Sequence, residues 1–292
     1  MGTGRASVDK PAEKSVGTLD PDLADALRAV GAADDDAIDL AGTALLLARA
    51  GRPDTAAEPY RRHLEQLVAD VGDYAGRGDE LERRHEALVQ VIARRYGYAG
   101  TLEAFDTLDA ANLMRAIDRR SGLPVTLGIL YIDVARKLGW SAVGIDFPGR
   151  FLVRLEAGGV RRMIDPFDLG GAVDAVGLRK RLKELAGEDA ELKPQYYNAM
   201  SARAVLLRLE GNIRVRLVAQ QRWEEAAAVI ARMLLIAPAD AALWREQGML
   251  QARLDRVQAA IASLEESLRR CDEEPARYRT SALIQELRRR LS

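Results

Sequence analysis

Near the middle of the chain the sequence runs Arg119-Arg120-Ser121-Gly122-Leu123-Pro124-Val125-Thr126-Leu127. Ser121 to Pro124 have the composition of a turn, and Pro124 suits the first turn of a helix, where its missing N–H would have had no partner. Apolar residues at helical spacing follow, and the pattern stops at Gly139. These residues are Leu127, Leu130, Tyr131, Val134, Ala135 and Leu138. The segment therefore predicts a helix that begins at Pro124.

Three short extended segments come after this helix. They cover Ala142–Phe147, Phe151–Leu155 and Val160–Ile164, and the turns between them contain Pro148-Gly149 and Gly158-Gly159. Turns of this composition between short apolar segments favour hairpins, so we expect an antiparallel meander.

Four helical patterns precede the quoted segment. They cover about Ile38–Ala48, Thr55–Val71, Glu80–Tyr96 and Leu108–Arg119. The run Asp34–Asp36 predicts a solvated start for the first of them, because carboxylates stabilise a helix N-terminus. Residues 1–18 are small, polar and charged, and we expect them to form a flexible tail.

The C-terminal region contains an internal repeat. Ala226 and Ala260 are 34 positions apart, and Trp244 and Gly248 have the spacing of a tetratricopeptide helix–turn–helix unit. Two such units cannot bury their own apolar faces. We therefore expect them to dock against the preceding domain and to end in a capping helix over Ala282–Leu291.

The order of these elements defines the predicted fold class. Beyond Gly170-Gly171 helical periodicity returns and persists to the end of the chain. We expect an α+β domain, helical with a small antiparallel sheet, over residues 19–195. An all-α repeat domain is expected over residues 196–292.

The balance of charge limits the classes of partner. Lysine plus arginine number 43 and aspartate plus glutamate 44, so no long-range field attracts nucleic acid or an anionic membrane surface. The single cysteine, Cys271, excludes an intramolecular disulfide and metal sites built on cysteine pairs. No apolar run is long enough to span a membrane and no signal peptide is evident, so the expected compartment is the cytoplasm. We expect no metal and no cofactor.

Three motifs in the same order carry a family resemblance. The first is the Arg120-to-Leu127 part of the quoted segment, the second is Phe147-Pro148-Gly149-Arg150-Phe151, and the third is Asp165-Pro166-Phe167. Together they resemble the bacterial SirB-type family, in which a transglutaminase-like core domain precedes tetratricopeptide repeats. The resemblance covers about residues 35–275 and implies a fold related to the papain-like cysteine proteases.

The resemblance also implies where catalytic residues would lie. A transglutaminase needs a cysteine at a helix N-terminus, a histidine on a neighbouring strand, and an acid that orients the imidazole. The matching positions hold Pro124, Arg150 and Asp165. Proline carries no nucleophile, and arginine stays protonated at physiological pH. The resemblance thus implies a vestigial triad and a protein that is not an enzyme.

Two arrangements are open for the vestigial positions. In one, Arg150 and Asp165 form a buried ion pair; in the other, Arg150 faces water and Asp165 caps the backbone after it. Thr126 is the hydroxyl nearest to the lost nucleophile, and we expect it to hydrogen bond within the first helical turn. The candidate cleft residues are Thr126, Tyr131, Phe147, Phe151 and Phe167. For the phenylalanines, packing of the small sheet is the alternative.

Three functions follow as hypotheses. The leading one is a protein-interaction or regulatory adaptor whose repeats hold a protein or peptide partner in a concave groove. The candidate groove residues are Arg208, Val215, Arg245 and Met249. The rival is a residual hydrolase or acyltransferase with an unusual nucleophile, and the third is small-ligand binding in the vestigial cleft.

Overall fold

Helix α6 (Pro124–Lys137) lies at the centre of the first half of the computed structural model, which describes residues 19–290. Every residue from Pro124 to Ala135 is buried, as expected for a helix that packs on all sides. The helix predicted from Pro124 is confirmed. The tail predicted over residues 1–18 and the end of the predicted capping helix at Leu291 lie outside the described residues.

From residue 19 onward, five α-helices precede α6. They are α1 (Pro21–Ala32), α2 (Leu40–Ala50), α3 (Glu58–Ala75), α4 (Leu81–Leu88) and α5 (Leu113–Arg119). Helix α4 continues into a π-helical segment, Val89–Arg95, so the predicted third helix is present as one helical stretch with a change of winding. Helices α2, α3 and α5 all contact α6.

Helix α2 begins later than the sequence predicts. Its cap is Asp39, whose carboxylate accepts a hydrogen bond from the backbone N–H of Gly42 at 3.0 Å. The predicted helix start at Asp34–Asp36 is wrong, because residues Asp35–Ala37 form a separate 3₁₀ turn.

The helix predicted over Leu108–Arg119 is divided. Residues Asp109–Ala111 form a 3₁₀ turn. Asn112 then adopts an extended backbone and accepts a hydrogen bond from the backbone N–H of Arg115 at 3.1 Å. Because this cap satisfies a free amide of the first turn, α5 starts at the next residue.

The sheet has five strands in the order β4-β3-β2-β1-β5, and all neighbouring pairs are antiparallel. The strands are β1 (Ser141–Phe147), β2 (Arg150–Ala157), β3 (Val160–Asp165), β4 (Gly171–Val173) and β5 (Ala199–Met200). The predicted meander is confirmed as β1 to β3. Strands β4 and β5 are too short, at 3 and 2 residues, to leave an alternating pattern in the sequence.

The two faces of the sheet pack against different helices. On one face Phe151 contacts α6, where a Cβ on Gly128 would come within 2.3 Å of the ring. Only glycine permits this approach of helix to strand. On the other face Phe147 packs with Leu178 of α7 (Ala175–Ala186).

The repeats form two helix pairs and a closing helix. The pairs are α8 (Ala202–Ala219) with α9 (Trp223–Ile236) and α10 (Ala241–Arg253) with α11 (Val257–Arg270), and α12 (Glu274–Arg289) packs on α11. Gly248 lets α10 approach α11, because a Cβ there would lie 2.6 Å from the Leu264 side chain. The capping helix starts at Glu274, earlier than predicted, with Pro275 in its first turn.

The predicted docking of the repeats against the first half of the chain is observed. Val205, Leu206 and Leu209 of α8 belong to the core that surrounds α6. Leu217 of the same helix belongs to the core of the repeats. Helix α8 is therefore shared by both cores, and the domain boundary at residue 195 stays a prediction.

The sequence pattern did not predict helix α1. Asp20 caps it, Pro21 opens it, and Leu23, Ala24 and Leu27 are its buried residues. The helix packs against α9, which lies far along the chain. An apolar stripe of three residues does not identify a helix from the sequence alone, because the helix against which it packs is not yet known.

The side chain of Arg203 links the first half of the chain to the repeats at the contact between α1 and α9. The guanidinium of Arg203, on α8, donates to the end of α1, to the turn after it and to the end of α9. The acceptors are the carbonyl oxygens of Val30 (3.3 Å), Gly31 (3.4 Å), Ala33 (2.6 Å) and Ile236, and Asp35 Oδ1 (2.8 Å). The last carbonyls of a helix have no partner within it. Arg203 therefore satisfies the ends of two helices at once.

Replacing Arg203 with alanine should destabilise the whole chain, because it leaves the carbonyl oxygens at the ends of α1 and α9 without their donor and removes an ion pair from Asp35. We expect the free energy of unfolding in urea to fall by about 2–4 kcal/mol. Arg208→Ala is the matched control on the same helix, since Arg208 is exposed and has one ion pair, to Asp146 at 3.5 Å. It should cost less than about 0.5 kcal/mol. Equal losses would show that the Arg203 contacts contribute little.

Candidate functional site

The first turn of α6, Pro124–Leu127, carries one hydroxyl and no thiol. Leu123 precedes it in an extended conformation and provides no side-chain cap. Thr126 is fully buried and donates to the carbonyl oxygen of Ala110 at 2.8 Å. The bond predicted within the helical turn is thus wrong. The hydroxyl instead ties α6 to the preceding 3₁₀ turn.

Asp165 ends β3 and is 0% exposed. Its Oδ2 lies 2.5 Å from Nη1 of Arg181 and 3.5 Å from Nε of Arg150. Its Oδ1 accepts a hydrogen bond from the backbone N–H of Phe167 at 3.0 Å. The ion pair predicted between Arg150 and Asp165 is present, and the carboxylate also caps the backbone. The two arrangements left open by the sequence therefore coexist.

Arg181, which is the cation nearer to Asp165, was not identified from the sequence. It lies on α7 in a run of four basic residues, Arg179, Lys180, Arg181 and Lys183, and composition does not distinguish among them. Its position three residues after the buried Leu178 puts it on the face of α7 that meets the sheet. That spacing is the signal that could have identified it.

Arg150 is the residue that the family resemblance places at the position of a catalytic histidine. Its side chain is 25% exposed, and its guanidinium carbon lies 4.7 Å from the centre of the Phe167 ring. An imidazole here could exchange a proton near neutral pH, whereas a guanidinium stays charged. Fixed positive charges thus compensate the charge of Asp165, and Arg150 itself cannot act as a general base.

A second buried polar group lies near this carboxylate. Tyr131 of α6 is fully buried, and its hydroxyl has no hydrogen-bond partner among residues 19–290. Gly170 (φ +71°) lies against it, since a Cβ there would come within 2.6 Å of the hydroxyl oxygen. Burial, together with the charge of Asp165, raises the pKa of Tyr131. The phenol is therefore protonated at neutral pH and is not a base.

His85 supports the same turn from α4. Its Nε2 lies 2.8 Å from the carbonyl oxygen of Gly170, and its Nδ1 lies 3.1 Å from Nη1 of Arg162. Both contacts are satisfied when Nε2 donates and Nδ1 accepts, which is a neutral imidazole. His85 therefore links α4 to the sheet. In the part of the chain that the structure describes, no three His, Cys, Asp or Glu side chains are grouped to hold a metal ion.

The five predicted cleft residues do not share a cavity. Phe147 lies on the α7 face of the sheet, whereas Thr126, Tyr131 and Phe151 lie in or against the core around α6. Phe167 is half-buried and covers Gly100, where a Cβ would come within 2.2 Å of the ring. Packed side chains occupy the space between α6 and the sheet, so a ligand would have to displace them.

The four predicted groove residues lie on α8 and α10. Arg208 and Val215 are exposed and seven positions apart, which places them on one face of α8. Arg245 and Met249 are half-buried and four positions apart on α10. Their role in binding stays a prediction.

Arg120, the arginine of the first motif, holds the turn before α6. Its backbone is left-handed (φ +57°), and its Nη1 donates to the Tyr98 hydroxyl oxygen at 2.5 Å and to His63 Nε2 at 2.7 Å. A ring nitrogen that accepts from a guanidinium must be unprotonated. Burial, and then the charge of Arg120, lowers the pKa of His63 to about 4. The network joins α3 to the turn that positions Pro124.

Acid should weaken the fold through His63. An unfolded histidine binds a proton below about pH 6.5, but the folded ring does so only below about 4. The unfolded state therefore binds more protons between these values, and the free energy of unfolding falls as the pH drops through that window. His63→Gln keeps an acceptor oxygen but does not titrate, so its stability should fall less between pH 7 and 4.5. Denaturant titrations at both pH values measure this, and parallel losses in the two proteins would refute the role of His63.

Removing either arginine from Asp165 should be costly, because it leaves a buried carboxylate short of positive charge. We expect Arg181→Ala to lower the free energy of unfolding by about 3–5 kcal/mol, and Arg150→Ala, whose contact is longer, by less. Arg161→Ala on β3 is the control, because Arg161 is 68% exposed and its ion pair, to Glu156, spans 3.6 Å. Urea titrations of the three variants measure these losses. If Arg181→Ala lowered the free energy of unfolding no more than Arg161→Ala, the assignment would be contradicted.

Comparison with known proteins agrees with this architecture. The family described as transglutaminase-like superfamily matches residues 58–211, and a tetratricopeptide repeat family matches residues 213–285. A UPF0162 protein of Xylella fastidiosa is 30% identical over 80% of this chain and 85% of its own length. A UPF0162 protein of Vibrio cholerae is 28% identical over 83% and 90%, respectively. Protein SirB1 of Salmonella typhimurium is 24% identical over 73% and 79%.

No solved structure matches the chain. None of the helices within residues 19–290 is long and apolar enough to cross a membrane. The match to the superfamily covers more than half of the sequence, and the repeat match follows it directly. The chain belongs to the SirB-type family, in which a transglutaminase-like domain is followed by tetratricopeptide repeats.

Proposed function

We propose that this protein is a non-catalytic adaptor, in which the transglutaminase-like domain is a rigid platform and the repeats hold a protein or peptide partner. The observation that carries the proposal is the environment of Asp165. Arg181 and Arg150 form ion pairs with this carboxylate, which in an acyl-transfer enzyme would orient an imidazole. The proposed compartment is the cytoplasm.

The remaining polar groups near α6 also support a non-catalytic role. Acyl transfer needs a nucleophile next to a base that can take its proton. The Thr126 hydroxyl already donates to a backbone carbonyl, and the Tyr131 phenol is protonated. Arg150 cannot accept a proton at physiological pH. These groups together offer binding and rigidity, but no proton transfer.

The repeat region supports the binding half of the proposal. Helices α8 and α10 begin successive repeat units, and an ion pair between Arg214 of α8 and Glu246 of α10 links them. Val215 follows Arg214 and is 57% exposed. An apolar side chain exposed on a repeat surface gains free energy when a partner covers it. Val215 is therefore the position at which a partner should be most sensitive to a charge.

Introducing a charge at Val215 should abolish partner binding and leave the fold intact. We expect Val215→Glu in the full chain to reduce affinity capture of its partners by about tenfold or more, because a buried, unpaired carboxylate opposes binding. Val160→Glu is the matched control, since Val160 is 59% exposed and lies in the hairpin between β2 and β3. Mass spectrometry of the captured proteins measures both variants.

Equal recovery of the same proteins by the two variants would locate binding outside the repeats. A chain truncated near residue 195 is a poor substitute for these variants, because it removes Val205, Leu206 and Leu209 from the main core. Turnover of an amide or ester by the purified chain, lost on Thr126→Val, would overturn the non-catalytic proposal itself.

A further inference from the structure

A cavity of about 620 Å³ lies between the two halves of the chain. Its walls come from α1, the end of α2, the segment 108–115, and helices α8 and α9. None of the vestigial triad residues lines it. Ligand pockets in proteins have volumes of roughly 300–1,000 Å³ and are frequent where domains meet. The size and the place of this cavity thus suit a small molecule.

Arginines outnumber acidic residues in the lining. Four arginines line the cavity, and the two acidic residues of the lining are Asp109 and Glu225. Both acids are paired with arginines outside the lining: Asp109 with Arg119 at 2.8 Å and Glu225 with Arg222 at 2.7 Å. The lining arginines are Arg28, Arg52, Arg115 and Arg232. Three of the arginines are themselves paired with acids outside the lining: Arg28 with Asp25, Arg52 with Asp118 and Arg232 with Glu210. The excess of positive charge at the cavity is therefore modest, and Arg115, whose nearest acid is 3.8 Å away, contributes most to it.

Several N–H groups of these guanidinium side chains donate no hydrogen bond to the described residues. The Arg115 side chain makes no hydrogen bond to any residue the structure describes, since its nearest acid, Asp109, is 3.8 Å from Nε. Arg232 uses Nε and Nη2 on the buried Glu210 and leaves Nη1. Arg52 uses one nitrogen, Nη1, for its bonds to Asp118 and Tyr60. A guanidinium has five donors, so each group can bind an anion without giving up its protein partner.

Apart from Asn112, the rest of the lining is apolar. Leu47 and Leu108 come from the first half of the chain, and Ile213, Leu217 and Val229 from the repeats. A molecule that fits this lining presents an anionic group to the arginines and a hydrocarbon body to these side chains. Inorganic anions would satisfy the first requirement only, and neutral hydrocarbons the second only.

We propose that this cavity binds a small amphipathic organic anion, with a carboxylate or phosphate head at the arginines and an apolar body between α8, α9 and the first half of the chain. Arg115 and Arg232 approach the cavity from the two halves, so a bound anion bridges them. This proposal does not depend on the adaptor function, because Val215, the residue at which partner binding is tested, does not line the cavity.

Calorimetric titration of the full chain tests the proposal with three probes below their micelle concentrations. Sodium decanoate and sodium decyl phosphate carry the same tail with different anionic heads, and decanol carries that tail without a charge. We expect one or both anions to bind at least about tenfold more tightly than decanol, since a charge-assisted hydrogen bond contributes about that factor. The tighter anion identifies the head group. Failure of both anions to bind, or equal binding of decanol, overturns the proposal.

Two variants place the binding in the cavity. Arg115→Gln removes a lining charge and should weaken binding of the tighter anion about tenfold. The control is Arg62→Gln on α3, an exposed arginine outside the lining, which should not change the affinity. Ala228→Leu adds bulk from α9 into the cavity and should reduce binding at least as much. If Arg115→Gln does not fold, Ala228→Leu decides alone. Unchanged affinity in the folded lining variants refutes the site.

Discussion

The guanidinium of Arg203 joins the ends of two helices to the start of a third. The C-terminal carbonyls of α1 and α9 point at the start of α8, and the arginine donates to both sets and to Asp35. A neutral side chain has too few donors for these contacts. The contact holds α1 against α9. Because both helices line the cavity, it also holds two of the cavity walls in place.

A second constraint is the burial of Asp165, which gives this carboxylate a structural role. A buried carboxylate needs compensating charge or several hydrogen bonds. In a cysteine–histidine–acid enzyme the acid accepts a hydrogen bond from an imidazole that is neutral or only transiently charged. Two arginines here give permanent compensation, and the stacking of Arg150 over Phe167 adds packing to it. In this chain the geometry around Asp165 fixes the turn after β3.

The parts of the fold that the sequence predicted are those whose pattern is local. The helix from Pro124 and the meander repeat a period within a few residues, and the repeat units repeat one of 34 positions within one region; each was found. The edge strands β4 and β5 were missed because they are too short to show a pattern. Helix α1, Arg181 and Arg203 were missed because their partners belong to other elements of the chain. Arg203 meets Val30 across 173 positions, and nothing in its neighbourhood distinguishes it from other arginines of α8. At the site, the motif alignment located Asp165 and Arg150 but not the closer cation, which is set by how α7 crosses the sheet.

The pairing of α1 with α9 also has a consequence for synthesis on the ribosome. Helix α1 is translated long before α9, so one of the surfaces against which it packs is absent until most of the described chain has been made. The first half of the chain can therefore complete its packing only after the first repeat has been translated. A premature stop codon before α9 would leave α1 without this partner and would disturb the first half of the chain as well as the repeats.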